Sequence, residues 1–451
     1  MRSGSARSGW SKRPRRRSRR APEASPPMGA SGEKVSARLI LSDRAVRIPV
    51  LLVFVIMLGF GIVAPILPLY ARSFGVGYDA ASLLISTFAF ARLVFDPVAG
   101  PVVDRYGERL CAVTGVVFVG ASSFLAGLAG SFPLVVLFRG AGGLGSSLFF
   151  AALYSYLLKV VPRNRMGRTM SVFYGALNVG IIAGGPIGGV VAHVWGLRSP
   201  LFLYAGLCLL SGVLYLRFLP DPNSRREDES TTARGADSEP TGWRATRAQV
   251  FALLRNPSFI TVLALNTAFF WVVAGGYDTL LPLFGKEGLG MSTVGIGGVF
   301  AVAVAAEFIV LYPAGSASDR IGRKPVLIPA LTGLAVFMSA AGWAGSPLVL
   351  AGLMGLAGLA SGSAASGPAA MLADVAPEGG SGTAVGLFRF FGDLGFVLGP
   401  LVGGAAAGAF GFKWAFALMA APVLVAMVMV ARTPETLRRE AGERGTAAPL
   451  D

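Results

Sequence analysis

The sequence reads Gly100-Pro-Val-Val-Asp104-Arg105-Tyr-Gly107-Glu-Arg109 at the end of one long apolar stretch. It reads Gly315-Ser-Ala-Ser-Asp319-Arg320-Ile-Gly322-Arg323-Lys324 at the end of another, 215 residues later. We call these segments the first and second motif copies. Two copies of one charged segment, each closing an apolar stretch, indicate that the chain contains two related halves.

Other landmarks recur at the same offset, within one residue. Leu67-Pro68-Leu69-Tyr70 corresponds to Leu281-Pro282-Leu283-Phe284, and Gly185-Pro186 corresponds to Gly399-Pro400. This spacing predicts two tandem halves of about six apolar segments each. Two homologous membrane halves are the architecture of an alternating-access carrier, which is therefore the predicted class.

The composition is that of a membrane protein. Hydrophobic residues make up 53% of the chain and charged residues 14%, whereas a soluble domain carries about 25% charged residues. Apolar stretches of about 20 residues can cross a bilayer, and they cross it as helices because lipid offers backbone groups no partner. We predict an all-α membrane protein whose spans 1 to 12 lie at 48–70, 79–101, 111–130, 132–158, 169–193, 199–219, 257–284, 293–314, 325–344, 347–374, 383–406 and 410–431.

The distribution of basic residues predicts the orientation of the spans. With both termini in the cytoplasm, nearly all of the 40 Lys and Arg residues face that side, as the positive-inside bias requires. We therefore predict a multi-pass protein of the plasma membrane or the bacterial inner membrane. The net charge of +16 is then a topology signal, and no nucleic-acid partner is predicted.

The same reasoning divides the chain into a basic N-terminal tail, two six-helix halves, a linker and a C-terminal tail. The predicted boundaries are 1–46, 47–219, 220–256, 257–431 and 432–451. The run Lys12–Arg20 in the first tail either attracts anionic lipid headgroups or is simply a solvated basic segment.

Several functional classes are disfavoured. The chain has no phosphate-binding loop of the type G-x-x-x-x-G-K-[ST], so ATP is not the predicted energy source. Cys111 and Cys208 imply no disulfide framework. We predict no enzymatic activity, cofactor or metal, and we expect a monomer. A channel or a receptor could also have many spans, but neither explains the duplicated motif.

The motif copies resemble the loop signature of the major facilitator superfamily. In span 11, Gly395-x-x-x-Gly399-Pro400-x-x-Gly403-Gly404 is similar to the span-eleven counterpart of that superfamily's antiporter motif, and Gly185-Pro186-Ile-Gly188-Gly189 in span 5 matches the motif less fully. Because small residues let helices approach closely, we expect helix packing at Gly185, Pro186, Gly189, Gly395, Gly399, Pro400 and Gly403.

Span 4 carries a further likeness. Arg139 with Gly143 resembles the span-four motif R-x-x-Q-G, although Gly142 stands at the glutamine position. The resemblance covers about residues 45–432 and is to the twelve-span drug:proton antiporters. It implies the major facilitator fold and a role for Arg139 in proton transfer; the alternative is an arginine that extends towards the outer surface.

The motif copies also have a physical interpretation of their own. Asp104 and Asp319 fall at cytoplasmic helix ends beside arginines that can pair with them, and Gly107 and Gly322 allow a tight turn. Such a cluster could latch two helices in one conformer and release them in another. The alternative is a plain turn with positive charge at the membrane edge.

Charged residues inside spans are costly and by default functional. This chain has seven: Arg92, Asp96, Arg139, Asp278, Glu307, Arg389 and Asp393. The resemblance implies that spans 2 and 11 lie side by side, and their charges match in depth to about one helical turn. We therefore predict a network between the halves in which Arg92 faces Asp393 and Asp96 faces Arg389. The alternative is that each arginine pairs only along its own helix.

Glu307 is the first candidate for proton coupling. The repeat places it opposite Arg92, so symmetry supplies no basic partner, and the nearest polar side chain by depth is Asn178. A buried carboxylate without a cation can take up a proton. Asp278 is the second candidate, followed by Asp393. The alternatives are a packing role for Glu307 and an ordinary solvated carboxylate for Asp278.

Aromatic residues predict the character of the substrate. The candidates for a cavity wall are Phe149 and Tyr154 in span 4, and Asn266, Phe270 and Tyr277 in span 7, which lines the cavity in the resembling superfamily. An aromatic, mostly apolar cavity suits amphiphilic or cationic drug-like molecules, unless these rings pack against lipid. The predicted function is export of such molecules in exchange for protons. A sugar or metabolite exporter, a proton-coupled uptake symporter and sodium coupling are the alternatives.

Overall fold

The computed structural model describes residues 44–161, 163–218, 243–375 and 381–437. The predicted tail 1–46 lies almost wholly outside these ranges, as do residues 220–242 of the linker and the end of the C-terminal tail. Within the described ranges the ordered elements are all helices, as predicted.

The helices follow the predicted spans closely. Spans 1 to 6 are Arg44–Val63 with Leu67–Arg72, Tyr78–Tyr106, Glu108–Leu128, Phe132–Val160, Arg163–Trp195 and Ser199–Phe218. Spans 7 to 10 are Pro257–Gly288, Thr293–Ile321, Arg323–Ala341 and Pro347–Val375. One continuous stretch, Ser381–Arg432, holds spans 11 and 12.

That last stretch crosses a bilayer twice. Its 52 residues would measure about 78 Å as one helix, more than twice the ~30 Å of a hydrocarbon core. At Gly411 the backbone leaves the helical region, with φ 79° and ψ 170°. Eleven helices of the described chain are long and apolar enough to span a membrane, and the turn at Gly411 makes the last of them two spans.

Glycine closes the turn in each motif copy. Gly107 separates spans 2 and 3 with φ +86°, and Gly322 separates spans 8 and 9 with φ +114°. Both values lie where a side chain is strained, so glycine is the residue that permits a one-residue connection. The predicted tight turns are confirmed.

Spans 1 and 7 are irregular in ways that the sequence did not predict. Span 1 is interrupted between Val63 and Leu67, around Pro65, which has no backbone N–H to donate. Span 7 is π-helical over Val272–Leu280 and again over Phe284–Gly288. Single π turns are frequent at functional sites, and the first segment contains Asp278.

The last part of the predicted linker 220–256 is a helix, Trp243–Leu254. We call it the linker helix. This helix was not predicted from the sequence, because the charged and small residues of 220–242 dominate the composition of the linker. Residues 243–254 instead carry apolar side chains three and four apart, which let one helix face pack against the bundle.

The two halves meet along spans 2 and 11 and along spans 5 and 8. We call the side of the bundle with Asp104 and Asp319 the motif face, and the side with Arg72 and Glu287 the opposite face. The candidate functional site lies between the halves, and the way the halves meet at the two faces determines access to it.

Candidate functional site

A cavity of about 1430 Å³ lies between the halves. Its wall takes residues from both, and it extends to Gly315, Ser316 and Asp319 at the motif face. The conformation is therefore open towards the motif face. Aromatic side chains make up a third of the wall residues: Phe60, Phe88, Phe149, Phe150, Tyr174, Tyr204, Phe269, Phe270, Tyr277, Phe300, Phe308, Tyr312, Phe388 and Phe396.

At the opposite face the halves are packed together. The Thr293 hydroxyl of span 8 donates to the Gly189 carbonyl of span 5, and the Ser86 hydroxyl of span 2 donates to the Val397 carbonyl of span 11, both at 2.8 Å. Gly189 approaches the backbone of Thr293 so closely that a side chain there would have no room. These contacts separate the cavity from the opposite face.

An ion cluster of Arg72, Tyr78 and Glu287 joins the halves at the same face. Arg72 Nε and Nη2 lie 2.8 and 3.2 Å from the two Glu287 carboxylate oxygens, and the Tyr78 hydroxyl donates to Glu287 at 2.5 Å. The guanidinium also stacks on the Tyr78 ring, 4.6 Å from its centroid. We call this cluster the opposite-face clasp. Sequence reasoning missed it, although Arg72 and Glu287 are 215 residues apart and carry opposite charges.

The predicted contacts between spans 2 and 11 are present. Arg92 Nη2 pairs with Asp393 Oδ1, and Arg389 Nη2 lies 2.9 Å from Asp96 Oδ2. Asp96 also accepts a hydrogen bond from Ser147 of span 4, a partner the sequence did not predict. Arg92 lines the cavity, so the network runs from the cavity wall into the contact between the halves.

Two carboxylates face the cavity without a cation. Glu307 and Asp278 both line the wall, and Asp278 is only 4% exposed. Among the described residues, no lysine or arginine forms an ion pair with either. The alternative of a solvated Asp278 is therefore wrong: the π-helical segment and its neighbours enclose this residue.

The expected partner of Glu307 was also wrong. Its carboxylate accepts a hydrogen bond from Ser361 of span 10 at 3.1 Å, whereas Asn178 donates to the Tyr174 carbonyl of its own helix. Matching residues by depth could not choose between the two helices beside span 8. The close contact of Gly362 with the Glu307 backbone brings span 10 next to it.

Arg139 is buried within the first half. It is 2% exposed, and its guanidinium lies 4.4 Å from the centre of the Phe88 ring. Its Nε and Nη1 have no hydrogen-bond partner among the described residues. The alternative in which Arg139 reaches the outer surface is therefore wrong. Arg139 lies behind Phe88 and Tyr204, which form the cavity wall.

The motif copies hold symmetry-related contacts of inverted charge. In the second copy, Arg323 pairs with Asp319 at 2.5 Å and with Asp374 at 3.1 Å. The equivalent positions of the first half are Glu108 and Lys159, which also pair with each other.

Other residues of the motif copies lie at the surface in this conformer. Asp104, Arg105 and Arg320 are exposed at the motif face. A side chain at Gly100 would meet only open space in this conformer.

Basic side chains of the motif copies also reach the last span of each half. Arg109 donates to the Leu216 carbonyl at the end of span 6, and Lys324 donates to the Ala431 carbonyl at the end of span 12. All four positions obey the 215-residue offset. The repeat therefore preserves the contact geometry at the motif face.

The C-terminal segment Thr433–Leu437 adds a contact that sequence reasoning missed. The Glu435 carboxylate accepts hydrogen bonds from the backbone N–H groups of Arg323 at 2.9 Å and Lys324 at 3.2 Å. It thus caps the first turn of span 9 from 111 residues away. Partial burial acts to raise the pKa of Glu435, but these N–H groups outweigh it and hold the pKa below its ordinary value.

The packing glycines lie at two kinds of helix contact. Gly185 and Gly189 of span 5 face span 8 of the other half, beside Pro186. Gly395 and Gly399 face Thr267 and Trp271 of span 7, and Gly403 lies beside Leu280 of that span, near Pro400. Gly185 and Gly189 thus lie at the contact between the halves, whereas Gly395, Gly399 and Gly403 lie at a contact within the second half.

Four of the five predicted cavity residues line the wall: Phe149, Asn266, Phe270 and Tyr277. Tyr154 does not, and the prediction for it was wrong. Its hydroxyl lies 3.0 Å from that of Tyr174, which does line the cavity, and its ring lies 6.0 Å from the Arg389 guanidinium. Tyr154 therefore lies between the cavity wall and the charge network.

Comparison with protein families identifies the architecture. The model described as Major Facilitator Superfamily matches residues 50–311 and 295–450. A solved bacterial homolog of the human lysosomal transporter Spinster, inward-facing and occupied, superposes with a TM-score of 0.70 at 16% identity, over 86% of this chain and 95% of that one. The nucleoside transporter NupG gives 0.69 at 15% identity, over 86% and 99%. At these identities the likeness shows the fold.

Curated relatives match part of the chain. Quinolone resistance protein NorA of Staphylococcus aureus (strain MRSA252) is 25% identical over 249 residues, which are 55% of this chain and 62% of NorA. An uncharacterized MFS-type transporter of Methanocaldococcus jannaschii is 25% identical over 277 residues, 61% of this chain and 68% of that protein. The matched segment spans less than two thirds of NorA.

Proposed function

Because this chain belongs to the major facilitator superfamily, we propose that it is a secondary active transporter that exports small amphiphilic or cationic molecules in exchange for protons. The observation that carries the proposal is the pair of carboxylates, Glu307 and Asp278, on the wall of an aromatic cavity. An apolar wall with few polar groups suits an amphiphilic molecule. The similarity to a quinolone resistance protein supports export.

The carboxylates give the exchange a physical basis. A carboxylate held away from water and without a cation favours its protonated form, whereas a bound organic cation favours the ionised form. Proton and substrate then compete for Glu307 and Asp278. The proton gradient drives export because the two binding events favour opposite directions of the conformational change.

The charged clusters would control access to the cavity. In this proposal the motif copies latch the motif face when it closes, with Asp104 and Asp319 as the central carboxylates. The Arg92–Asp393 and Arg389–Asp96 pairs hold spans 2 and 11 in register while the two halves move. Arg139 serves as a fixed buried cation beside the proton pathway.

We place the motif face in the cytoplasm of a cell membrane, with both termini on that side. The exposed Arg105 and Arg320 at this face agree with the positive-inside bias. The described conformer is then inward-facing, ready to receive a substrate from the cytoplasm. Within this proposal the functional unit is a monomer, because each chain contains both halves.

Transport in vesicles tests the proposal. The purified protein would be reconstituted inside out, with the vesicle interior acidified, and uptake of the cationic dye ethidium would be followed by fluorescence. We expect accumulation that a protonophore abolishes. Accumulation that follows a sodium gradient instead, or counterflow of sugars with no response to ethidium, would contradict the proposal.

A further inference from the structure

We propose that the linker helix, Trp243–Leu254, is a docking surface for anionic phospholipid headgroups at the motif face. The linker helix lies directly before span 7. Only two residues, Arg255 and Asn256, separate it from Pro257, where span 7 begins. Asn256 ends one helix and caps the next by accepting the Ser258 N–H at 3.0 Å. Chain connectivity therefore holds the linker helix at the boundary of the bilayer.

One side of the linker helix is held by the protein. Leu253 is buried in the core of the second half. Gln249 Oε1 accepts a hydrogen bond from the Thr383 hydroxyl at 3.0 Å, at the start of span 11. These contacts fix the rotation of the helix, so its remaining side chains point in determined directions.

The other side exposes apolar and basic residues together. Phe251 is 55% exposed and Leu254 is 36% exposed. Arg247 is also exposed on this side, with its guanidinium 5.6 Å from the centre of the Phe251 ring. Residues spaced three and four apart share a helix face. A face of this composition, next to the hydrocarbon boundary, suits the zone where headgroups meet acyl chains.

Charge decides which lipid this face would bind. The stretch 243–256 contains Arg244, Arg247 and Arg255 and no aspartate or glutamate. A neutral lipid surface would offer only the apolar interaction, whereas an anionic surface adds attraction at each arginine. Each arginine near such a surface is worth about a fivefold gain in the docking equilibrium. The inference is independent of what the protein transports.

Depth-dependent quenching tests the proposal in the full chain. Single cysteines at Phe251→Cys and, as a matched control, Ala252→Cys would be labelled with the fluorophore NBD. Ala252 is also exposed, but it lies about 100° further round the helix, away from the apolar stripe. The native Cys111 and Cys208 are buried, and labelled wild-type protein gives the background. Vesicles would contain nitroxide lipids in either phosphatidylglycerol or phosphatidylcholine.

We expect quenching at position 251 to exceed that at position 252 by roughly twofold or more, with the larger difference in phosphatidylglycerol. Arg247→Glu combined with Arg255→Glu should remove the preference for phosphatidylglycerol, while the buried Leu253 keeps the helix packed against the second half. Equal quenching at the two positions, or a difference that ignores lipid charge and the double variant, would overturn the proposal.

Discussion

Individual charged residues acquire different roles according to their partners. Arg92 and Asp393 neutralise each other across the halves, whereas Glu307 and Asp278 form no ion pair with any described lysine or arginine. A paired charge is stabilised in one ionisation state, and an unpaired buried carboxylate is free to change its state. This difference separates the groups that hold the structure from those that can couple it to protons.

Replacing Glu307 with glutamine should remove proton coupling, because glutamine mimics the permanently protonated acid. We expect uptake driven by a pH gradient to be lost while equilibrium exchange of ethidium across the vesicle membrane survives. Ser361→Ala is the matched control, since it removes the hydrogen bond to Glu307 and keeps the carboxylate. If Glu307→Gln still concentrates the dye, Asp278 is the next residue to test.

Replacing Arg92 with aspartate should destabilise the contact between the halves. Breaking a buried ion pair by changing one partner costs about 3 kcal/mol or more, because the other charge is left uncompensated. We expect Arg92→Asp to lower the melting temperature and transport together. Combining it with Asp393→Arg should restore part of both; a double variant no better than the worse single one would contradict direct pairing.

At the scale of helices, capping and turn chemistry organise the motif face. Gly107 and Gly322 reverse the chain with one residue each. The N-terminus of span 9 has no side-chain cap of its own, and Glu435 supplies it. The second half thereby ties its last span and C-terminal segment to its motif copy.

Glu435→Gln should lower thermal stability in a way that depends on pH. The pKa of Glu435 in the folded protein is below its ordinary value, so its stabilising effect is present above the ordinary carboxylate range. The effect is lost as the pH falls through the lowered pKa. Loss of a helix cap costs about 1 kcal/mol.

We therefore expect a lower melting temperature for Glu435→Gln than for the wild type at pH 7, and convergence of the two on acidification. Asp79→Asn, which changes an exposed carboxylate at the opposite face, serves as the control for general charge effects. A difference that stays constant with pH would show that Glu435 acts without its charge.

For the whole molecule, the balance between the two faces decides which side of the cavity is open. The opposite-face clasp is partly exposed: 30% of the Arg72 side chain and 27% of the Glu287 side chain are accessible to solvent. Such a pair contributes up to about 1 kcal/mol. That amount is enough to change the ratio of two conformers about fivefold.

Removing the clasp should therefore shift the conformers without unfolding the protein. Spin labels at Trp195 and Phe410, exposed at the opposite-face ends of spans 5 and 11, would report the distance between the halves. We expect Arg72→Ala to increase the population with a long distance, and Arg72→Glu with Glu287→Arg to return it towards the wild-type distribution. An unchanged distribution in Arg72→Ala would show that glycine packing alone closes this face.

The sequence by itself determined the class, the fold and most span boundaries. Apolar length, the 215-residue repeat and the turn glycines are local or periodic features, and membrane helices obey local rules because their backbone bonds are internal. The family resemblance implied that spans 2 and 11 lie side by side, and depth along these antiparallel helices then predicted Arg92 opposite Asp393. These features need no knowledge of how the halves are rotated.

Only the tertiary structure decided the contacts that depend on rotation and on distant segments. Depth matching placed Glu307 beside Asn178, but the rotation of span 8 turned its carboxylate to Ser361. The same limit explains Tyr154, whose hydroxyl turned to Tyr174. Glu435 and the opposite-face clasp join residues 111 or more positions apart. Side-chain direction is set by packing between helices, and a linear pattern carries depth but not the angle at which two helices face each other.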